Sequence, residues 1–248
     1  MYQFFVEPNQ INTDTRTVVI TGNDVNHIKN VLRMKTGEQV AVSNGTDGKE
    51  YHCSITSMDE SSVVLQLLDI AEDGAELPSQ VVLFQGLPKG DKMELIIQKN
   101  VELGIHSIIP VATKRCVVKL DDKKAGSKIS RWQGIAEAAA KQSKRGIIPQ
   151  IGNVMTFKQA LFYVQDFDVK LVPYEHAEDM GKTKAILENV KPGQRIAIFI
   201  GPEGGFDESE IEQALAAEVT PITLGKRILR TETAGFTIMS WLMYLLEN

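Results

Sequence analysis

Two stretches near the C-terminus contain the residue types that could do chemistry, and the first is a glycine-rich turn. Residues 201–206 read GPEGGF, after an apolar run and before an amphipathic segment that begins at Asp207. This order is typical of a loop that cradles a phosphate, but the turn has neither the full Gly-x-Gly-x-x-Gly pattern nor the Lys-Ser/Thr ending of a P-loop. A pyrophosphate would also meet the like charges of Glu203, Asp207 and Glu210. The sequence therefore disfavours NAD and ATP as ligands.

The acidic residues and the glycines of this turn have different interpretations. Asp207 and Glu210 have the spacing of a capping box, which satisfies unpaired amides at a helix start and suits the positive end of the helix dipole. The glycines allow a ligand to approach the backbone closely, and the acidic surroundings favour a neutral or cationic ligand. S-adenosylmethionine carries a positive sulfonium and no phosphate, so it meets both conditions.

The second stretch, residues 224–233 (LGKRILRTET), brings cations and a carboxylate to one helix start. Lys226, Arg227 and Arg230 follow a predicted strand, and Glu232 comes two residues after Arg230. A cation here can hold an RNA phosphate or stabilise a developing anion on a base, and the carboxylate can accept a proton. Two alternatives stay open at this point: a basic surface turn, and a Glu232 that only caps the last helix.

The net charge of −5 conceals a basic block in the middle of the chain. Residues 114–145 contain ten basic and three acidic residues, so this block carries +7 and the rest of the chain −12. Such a block is either a solvated face or a phosphate-binding surface, and composition does not choose between the two.

The first part of the chain, residues 1–72, has the pattern of a small β-rich domain. Strand-like runs occur at residues 17–20, 38–43, 50–56 and 62–70. Asn-Gly and Asp-Gly pairs between them predict hairpin-type turns, and one helix is expected near residues 24–34. We interpret this part as a β-barrel domain.

After an acidic linker at residues 71–79, the pattern changes to alternating strands and helices, which implies a mostly parallel sheet covered on both faces. The sequence thus predicts a second domain over residues 73–248. Ligands of such sheets bind beyond the carboxyl ends of the strands, so the site is expected in four loops. These loops are residues 86–92, 173–177, 201–206 and 225–233.

Three helices of the second domain carry specific expectations. Asp91 and Glu94 are spaced as a capping box for a helix that Gly104 ends. The next helix is expected over residues 127–145. The final helix is apolar around its axis and too short to cross a bilayer, so it must be buried in a core or between subunits, with Trp241 and Tyr244 as possible interface anchors.

Composition excludes several other classes of protein. The N-terminus lacks the features of a signal peptide, and no apolar run reaches the roughly 20 residues that span a bilayer, which predicts a cytoplasmic protein without a membrane segment. Cys53 and Cys116 are too few for a disulfide framework. The four histidines show no ligand spacing, so we expect no metal.

Taken in order, three motifs resemble the signature of a known family. They are GPEGG at residues 201–205, Leu-Gly at 224–225 and RILRTETA at 227–234. This combination is similar to that of the bacterial small-subunit ribosomal RNA uridine N3-methyltransferases of the SPOUT superfamily. The segment at residues 27–38 is similar to the PUA-like RNA-binding domain of that family, and AAAKQSKR at 138–145 is similar to its internal Gln-Ser-x-Arg motif. Lys141 stands where the family commonly has Glu.

The resemblance implies an α/β fold with two domains, a PUA-like β-barrel at residues 1–72 and a SPOUT methyltransferase domain at 73–248 with a deep trefoil knot. It further implies a homodimer that uses S-adenosylmethionine to methylate N3 of one uridine in 16S rRNA. The substrate would be the 30S subunit or a late precursor of it.

The resemblance also suggests roles for individual residues. We expect Arg230 to be the stabilising cation and Glu232 the weaker candidate for the general base. The expected cofactor-binding residues are Val172, Pro173, Ile200, Gly201, Gly204, Leu224, Gly225, Ile228, Leu229 and Thr231. The expected substrate-binding residues are Arg33, Lys89, Lys114, Arg115, Ser143 and Arg145.

Two other functions remain open from the sequence. One is a SPOUT methyltransferase that modifies a different RNA acceptor, such as a ribose 2′-hydroxyl. The other is a ribosome assembly factor that binds RNA without catalysis, although such a factor leaves the glycine turn beside RILRTETA without a purpose.

Overall fold

The computed structural model describes residues 1–72, 74–177 and 179–247, and these divide into two compact units. The first unit comprises Met1–Glu76 together with Ala140–Ile148, and the second comprises Leu77–Ala139 and Pro149–Asn248. The sequence-based division between residues 72 and 73 did not include the contribution of Ala140–Ile148 to the first unit. Asp73, the first residue of the second predicted domain, lies outside the described residues.

The first unit is built on a six-stranded sheet, as far as its described residues go. Its strands are β1 (Tyr2–Phe5), β2 (Ile11–Asn12), β3 (Thr17–Thr21), β4 (Gln39–Ser43), β5 (Glu50–Met58) and β6 (Ser62–Ala71). They are arranged in the order β1-β4-β5-β6-β3-β2, and only the pairing of β1 with β4 is parallel. Alternate residues of β5 and β6 are buried, and they form one face of the apolar core.

The helix expected near residues 24–34 is shorter and less regular in the structure. It consists of α1 (Asn23–Asn26), which continues directly into a π-helical turn (His27–Val31). Val25 and Ile28 pack this segment into the core of the first unit.

The segment Ala140–Ile148 joins the first unit through its backbone. The N–H of Ile148 donates to the carbonyl of Gly45, at 2.9 Å, and the side-chain amide of Gln3 donates to the carbonyl of Arg145, at 3.0 Å. Gly146 packs so closely on Gly48 that a Cβ there would lie 2.6 Å from the Gly48 carbonyl oxygen. A side chain at residue 146 is therefore not tolerated without a backbone shift.

A buried ion pair accompanies these backbone contacts. The guanidinium of Arg145, whose side chain is 2% exposed, binds the carboxylate of Glu76, whose side chain is 18% exposed. The Glu76 Oε1 atom also accepts the N–H groups of Gly146 and Ile147, at 3.1 and 3.0 Å. Within the same unit, Lys141 forms an ion pair with Asp24 at 3.0 Å and lies over the ring of Phe4.

The second unit contains a parallel sheet with seven strands in its described residues. The strands are β7 (Gln80–Gly86), β8 (Ser107–Ala112), β9 (Gln150–Ile151), β10 (Met155–Thr156), β11 (Val169–Pro173), β12 (Arg195–Ile200) and β13 (Thr220–Ile222). Their order is β10-β8-β7-β12-β11-β13, with β9 paired to β8, and every pairing is parallel. The alternating pattern in the sequence thus predicted the sheet type correctly.

The helices of the second half connect these strands. They are α2 (Lys92–Glu102), α3 (Asp122–Gln142), α4 (Phe157–Tyr163), α5 (Met180–Glu188), α6 (Glu208–Ala216) and α7 (Thr231–Leu246). The two central strands, β7 and β12, are buried on both faces, and the rings of Phe84 and Phe199 stack between them with centroids 4.8 Å apart. Central parallel strands require this continuous apolar character.

Two expectations about helices were wrong. The side chain of Asp91 makes no capping hydrogen bond at the start of α2, and Glu94 instead forms an ion pair with Arg131 at 2.7 Å. The helix expected over residues 127–145 begins five residues earlier, because Asp121 accepts the Lys124 N–H at 2.8 Å and starts the helix there.

The final helix, α7, buries Ile238, Met239 and Leu242, as its apolar sequence requires. Trp241 is half-buried, and Tyr244 is 69% exposed. None of the helices formed by the described residues is long and apolar enough to cross a membrane.

The Glu76–Arg145 pair generates a prediction about stability. Glu76→Gln keeps the size of the side chain but removes the negative charge opposite a buried guanidinium, so it should lower the free energy of unfolding by about 3 kcal/mol. Urea unfolding followed by circular dichroism measures this. The matched control is Glu72→Gln, which removes the exposed ion pair with Lys49 and should cost less than about 1 kcal/mol. Equal small losses in both variants would contradict the prediction.

Candidate functional site

A cleft of about 610 Å³ lies in the second unit, where strands β11, β12 and β13 end. Three of the four predicted loops form its walls, and Lys92 is contributed from the fourth. Its volume is within the range of small-molecule sites. The topology of a parallel sheet explains this position, because the carboxyl ends of its strands all open on one edge.

The glycine turn after β12 needs a glycine at residue 201 because the backbone packs closely there. A Cβ on Gly201 would lie 2.9 Å from the carbonyl carbon of Gly205, which is closer than real contacts allow. The turn is closed by the N–H of Gly205, which donates to the carbonyl of Pro202 at 2.9 Å. This close packing is an additional reason for Gly201, beyond the approach of a ligand that the sequence suggested.

The start of α6 has the capping box that the sequence predicted. Asp207 accepts the Ser209 N–H, and Glu210 accepts the Asp207 N–H at 2.9 Å. Glu210 is buried and also accepts the N–H of Lys114, at 2.8 Å. The amides that would receive a phosphate are therefore already bound to carboxylates, which explains why the turn and its helix are acidic.

The pKa of Asp207 is lowered, first by the hydrogen bond from the Ser209 hydroxyl and further by the Ser209 N–H and by Lys114. Its carboxyl is thus held as the anion that the cap requires.

Glu203, at the tip of the glycine turn, is held by two donors from the loop after β7. Lys92 Nζ lies 2.9 Å from Glu203 Oε1, and the N–H of Lys89 donates to the same oxygen at 3.0 Å. Burial alone would raise the pKa of the Glu203 carboxyl, but the hydrogen bonds from Lys92 and from the backbone lower it overall. Sequence reasoning missed Lys92, although its position in a loop beyond a strand was a usable signal.

A chain of hydrogen bonds joins the glycine turn to the start of α7. The hydroxyl of Thr231 donates to the carbonyl of Gly201 at 2.6 Å. The side-chain amide of Gln85, which is fully buried at the end of β7, donates to the Thr231 hydroxyl oxygen at 2.9 Å. Gln85 was also missed, because a single Gln in an apolar strand gives no distinct signal in the sequence.

The loop between β13 and α7 forms the opposite wall of the cleft. Gly225 has a φ of 111°, a conformation that favours glycine, and a Cβ there would meet open space. The side chains of Lys226, Arg227 and Arg230 are exposed and form no hydrogen bond or ion pair within the described part of the chain. Unpaired cations beside a cleft are available to bind anionic groups.

Nearly all residues predicted to bind the cofactor lie in this cleft. Its lining includes Pro173, Ile200, Gly201, Gly204, Leu224, Gly225, Ile228, Leu229 and Thr231. Val172 is fully buried in β11, one residue before the lining residue Pro173. Ile228 is 89% exposed. The cofactor-binding role of these residues stays a prediction.

The residues predicted to bind substrate are divided between the two units. Arg115 lines the cleft, where its guanidinium donates to the carbonyl of Gly204 at 3.1 Å. The ammonium of Lys114 binds Asp207 and Ser209, and the side chain of Lys89 is exposed.

The other three of these residues, Arg33, Ser143 and Arg145, belong to the first unit. Arg33 is exposed and Ser143 is half-buried. Arg145 is buried against Glu76, so its position does not support the predicted contact with substrate.

The two residues predicted to be catalytic lie at the start of α7. Arg230 is the residue before the helix and lines the cleft. Glu232 is the second helical residue, and its side chain makes no capping hydrogen bond in the described structure. Glu232 lies in the first turn of α7, where a negative charge suits the helix dipole, and Lys92 Nζ lies 3.8 Å from its Oε2 atom, so its capping role and its catalytic role both stay predictions.

No group of three or more His, Cys, Asp or Glu side chains among the described residues is arranged to hold a metal ion.

Two family models match this chain, one over most of the second unit and one within the first. Residues 75–243 match a family model described as RNA methyltransferase domain, and residues 20–68 match one described as RNA methyltransferase PUA domain. These matches define the class of protein as an RNA methyltransferase with a PUA domain, and they confirm the predicted fold class.

Individual relatives make the assignment more specific. The ribosomal RNA small subunit methyltransferase E of Bacillus subtilis is 41% identical over 100% of this chain and 98% of its own length. The crystal structure of ribosomal RNA small subunit methyltransferase E from Neisseria gonorrhoeae, bound to S-adenosyl methionine, has 31% identity and a TM-score of 0.83 and covers 99% of this chain and 98% of its own. The chain belongs to the ribosomal RNA small subunit methyltransferase E family.

The double role of Glu210 generates a prediction. Glu210→Ala removes the acceptor for the N–H groups of Asp207 and Lys114 in a buried position, so it should lower the free energy of unfolding by about 2 kcal/mol. Glu208→Ala, an exposed substitution in the first turn of the same helix, should cost less than about 1 kcal/mol. Urea unfolding of both variants measures the difference. The prediction fails if the two variants are equally stable.

Proposed function

We propose that this protein transfers a methyl group from S-adenosylmethionine to N3 of a uridine in the 16S rRNA of the small ribosomal subunit. The names of its relatives support the substrate class, and the relative from Neisseria gonorrhoeae, bound to S-adenosyl methionine, supports the cofactor. The single observation that carries the proposal is the cleft that joins the glycine turn to the 223–231 segment.

The chemistry of this cleft fits S-adenosylmethionine better than a nucleotide phosphate. At the start of α6, Asp207 and Glu210 accept backbone N–H groups that an anion would otherwise use. Two of the residues that line the cleft, Glu175 and Glu203, are acidic, and Glu203 is paired with Lys92. The 223–231 segment lines the cleft, and its backbone supplies the groups that bind a base and a sugar in our proposal.

When bound, S-adenosylmethionine supplies an electrophilic methyl group on a positively charged sulfur. The protein must then present a uridine whose N3 has lost its proton. Because N3 is engaged in base pairs within helices, the target base has to be unpaired or turned outward. Placement of the base against the methyl group and stabilisation of its negative charge would supply most of the rate.

The start of α7 supplies the groups for this reaction in our proposal. Arg230 stabilises the negative charge that spreads over N3 and the flanking carbonyls of uracil, since its guanidinium is exposed at the cleft and has no partner in the described structure. Glu232 is the candidate that accepts the N3 proton. Lys226 and Arg227 are available to hold RNA phosphates near the cleft.

The further features implied by the family resemblance belong to this proposal as well. We propose that the protein is a cytoplasmic homodimer, that its C-terminal domain contains a trefoil knot, and that its substrate is the 30S subunit or a late precursor. Exposure of Tyr244 on α7 supports the dimer, because large exposed aromatic side chains are common anchors of interfaces. The contributions of Arg33, Lys89, Lys114 and Ser143 to RNA binding remain part of the same proposal.

The test of the proposed function is incubation of the protein with labelled S-adenosylmethionine and 30S particles from cells that lack the gene, followed by nucleoside mass spectrometry. We expect 3-methyluridine to appear. A different methylated nucleoside, such as one modified at the ribose 2′-hydroxyl, would overturn the proposed acceptor. Absence of both cofactor binding and methyl transfer would favour a non-catalytic assembly factor.

A first prediction concerns Arg230. Arg230→Ala should lower kcat by about 100-fold or more, because it removes a cation placed where negative charge develops. Binding of S-adenosylmethionine, measured by calorimetry, should change little. The control is Arg195→Ala, at the opposite end of β12, where the guanidinium lies over Phe167. Wild-type kcat in Arg230→Ala with normal cofactor binding would refute the catalytic role.

A second prediction concerns the basic block. Lys123→Glu and Lys128→Glu, both exposed on α3, should together weaken RNA binding, and the slope of log K against log salt should become less steep by about one per lost phosphate contact. The control variant is Lys182→Glu with Lys184→Glu on α5, which makes the same change in net charge. If both pairs weaken binding equally, the basic block is only a solvated face.

A further inference from the structure

One carboxylate oxygen of Glu232, at the start of α7, is buried without a hydrogen-bond donor among the described residues. The side chain of Glu232 is 14% exposed, and its Oε2 atom is buried and receives no hydrogen bond from the described residues. Burial of an ionised carboxylate is costly unless an opposite charge or a donor lies nearby. The closest cation is therefore the group that can compensate this oxygen.

Lys92, at the start of α2, is that cation. Its Nζ lies 3.8 Å from Glu232 Oε2, which is too long for a hydrogen bond but short enough for an ion pair. The same Nζ donates to Glu203 Oε1 at 2.9 Å. One ammonium thus faces two carboxylates, one from the glycine turn and one from α7.

Two of these three charged side chains are part of the cleft. Lys92 and Glu203 both line it, whereas Glu232 Oε2 is buried. The side chains of Lys92, Glu203 and Glu232 together carry a formal charge of −1. Arg230, two residues before Glu232, is the next cation of the same wall and has no partner in the described residues.

We infer that Lys92 is a positioning residue for the proposed reaction, with an ammonium that compensates the buried charge of Glu232 and fixes the orientation of this carboxylate beside Arg230. The inference rests on the function proposed above. Lys92 acts through Glu232 rather than on the substrate. The hydrogen bond to Glu203 holds the Lys92 ammonium 3.8 Å from Glu232 Oε2. The single positive charge of Lys92 therefore interacts with a carboxylate of the glycine turn and with one of α7.

The test is steady-state methyl transfer to 30S particles by Lys92→Met, Lys92→Arg and wild-type protein. Lys92→Met should lower kcat by about tenfold or more while KM for S-adenosylmethionine changes less than about threefold, because orientation of a catalytic group affects the transition state more than binding. Lys92→Arg, which keeps the charge, should restore kcat to within about threefold of wild type. The matched control is Lys99→Met, on the same helix and paired with Glu102.

A double substitution tests whether Lys92 acts through Glu232. In a Glu232→Gln background, Lys92→Met should lower kcat much less than it does in wild type, since the charge it compensates is gone. An equal loss in both backgrounds would overturn the inference, as would a wild-type kcat in Lys92→Met or a failure of Lys92→Arg to restore activity. If wild-type protein transfers no methyl group, the proposed function itself fails, and this inference fails with it.

Discussion

The hydrogen-bond chain from Gln85 through Thr231 to Gly201 is the interaction on which the site depends. It joins the end of a buried central strand, the glycine turn and the start of the last helix. These segments are far apart in the chain, and the glycine turn and the start of α7 line the cleft. Because Gln85 and Thr231 are buried, their hydrogen bonds cannot be replaced by water, and the geometry of the cleft is fixed by them.

The charged side chains around the cleft form two groups, acidic residues that have partners within the protein and basic residues that have none in the described structure. The acidic residues of the glycine turn and of α6 are bound internally, to backbone amides and to Lys92, Lys114 and Arg115. The cations of the 226–230 segment lack such partners in the described structure. A site that pairs its own anions and leaves cations free excludes a phosphate from the glycine turn but can hold an anionic RNA beside it. This division agrees with membership of an RNA methyltransferase family.

The segment Ala140–Ile148 contains a motif whose contacts in the structure differ from those that its sequence suggests. The segment Ala140–Ile148 follows a helix that begins in the second unit, yet its backbone pairs with the first. Arg145 was predicted to meet substrate because residues 138–145 resemble the Gln-Ser-x-Arg motif of the family. The structure instead buries it against Glu76, where its charge supports the packing of that segment. Charge composition alone could not distinguish a cation on the surface from one with an internal partner.

The sequence by itself determined the parallel sheet, the edge of the sheet where the cleft opens, the capping box of α6 and the family. These follow from hydrophobic periodicity, from the local spacing of residues and from motifs that can be recognised without knowledge of the tertiary structure. Only the tertiary structure decided that Lys92 and Gln85 belong to the site, that Glu94 binds Arg131 instead of capping α2, and that Arg145 is internal. The physical reason is that each of these contacts joins residues distant in the chain, so that the partner of a polar side chain is chosen by packing and not by its neighbours in sequence.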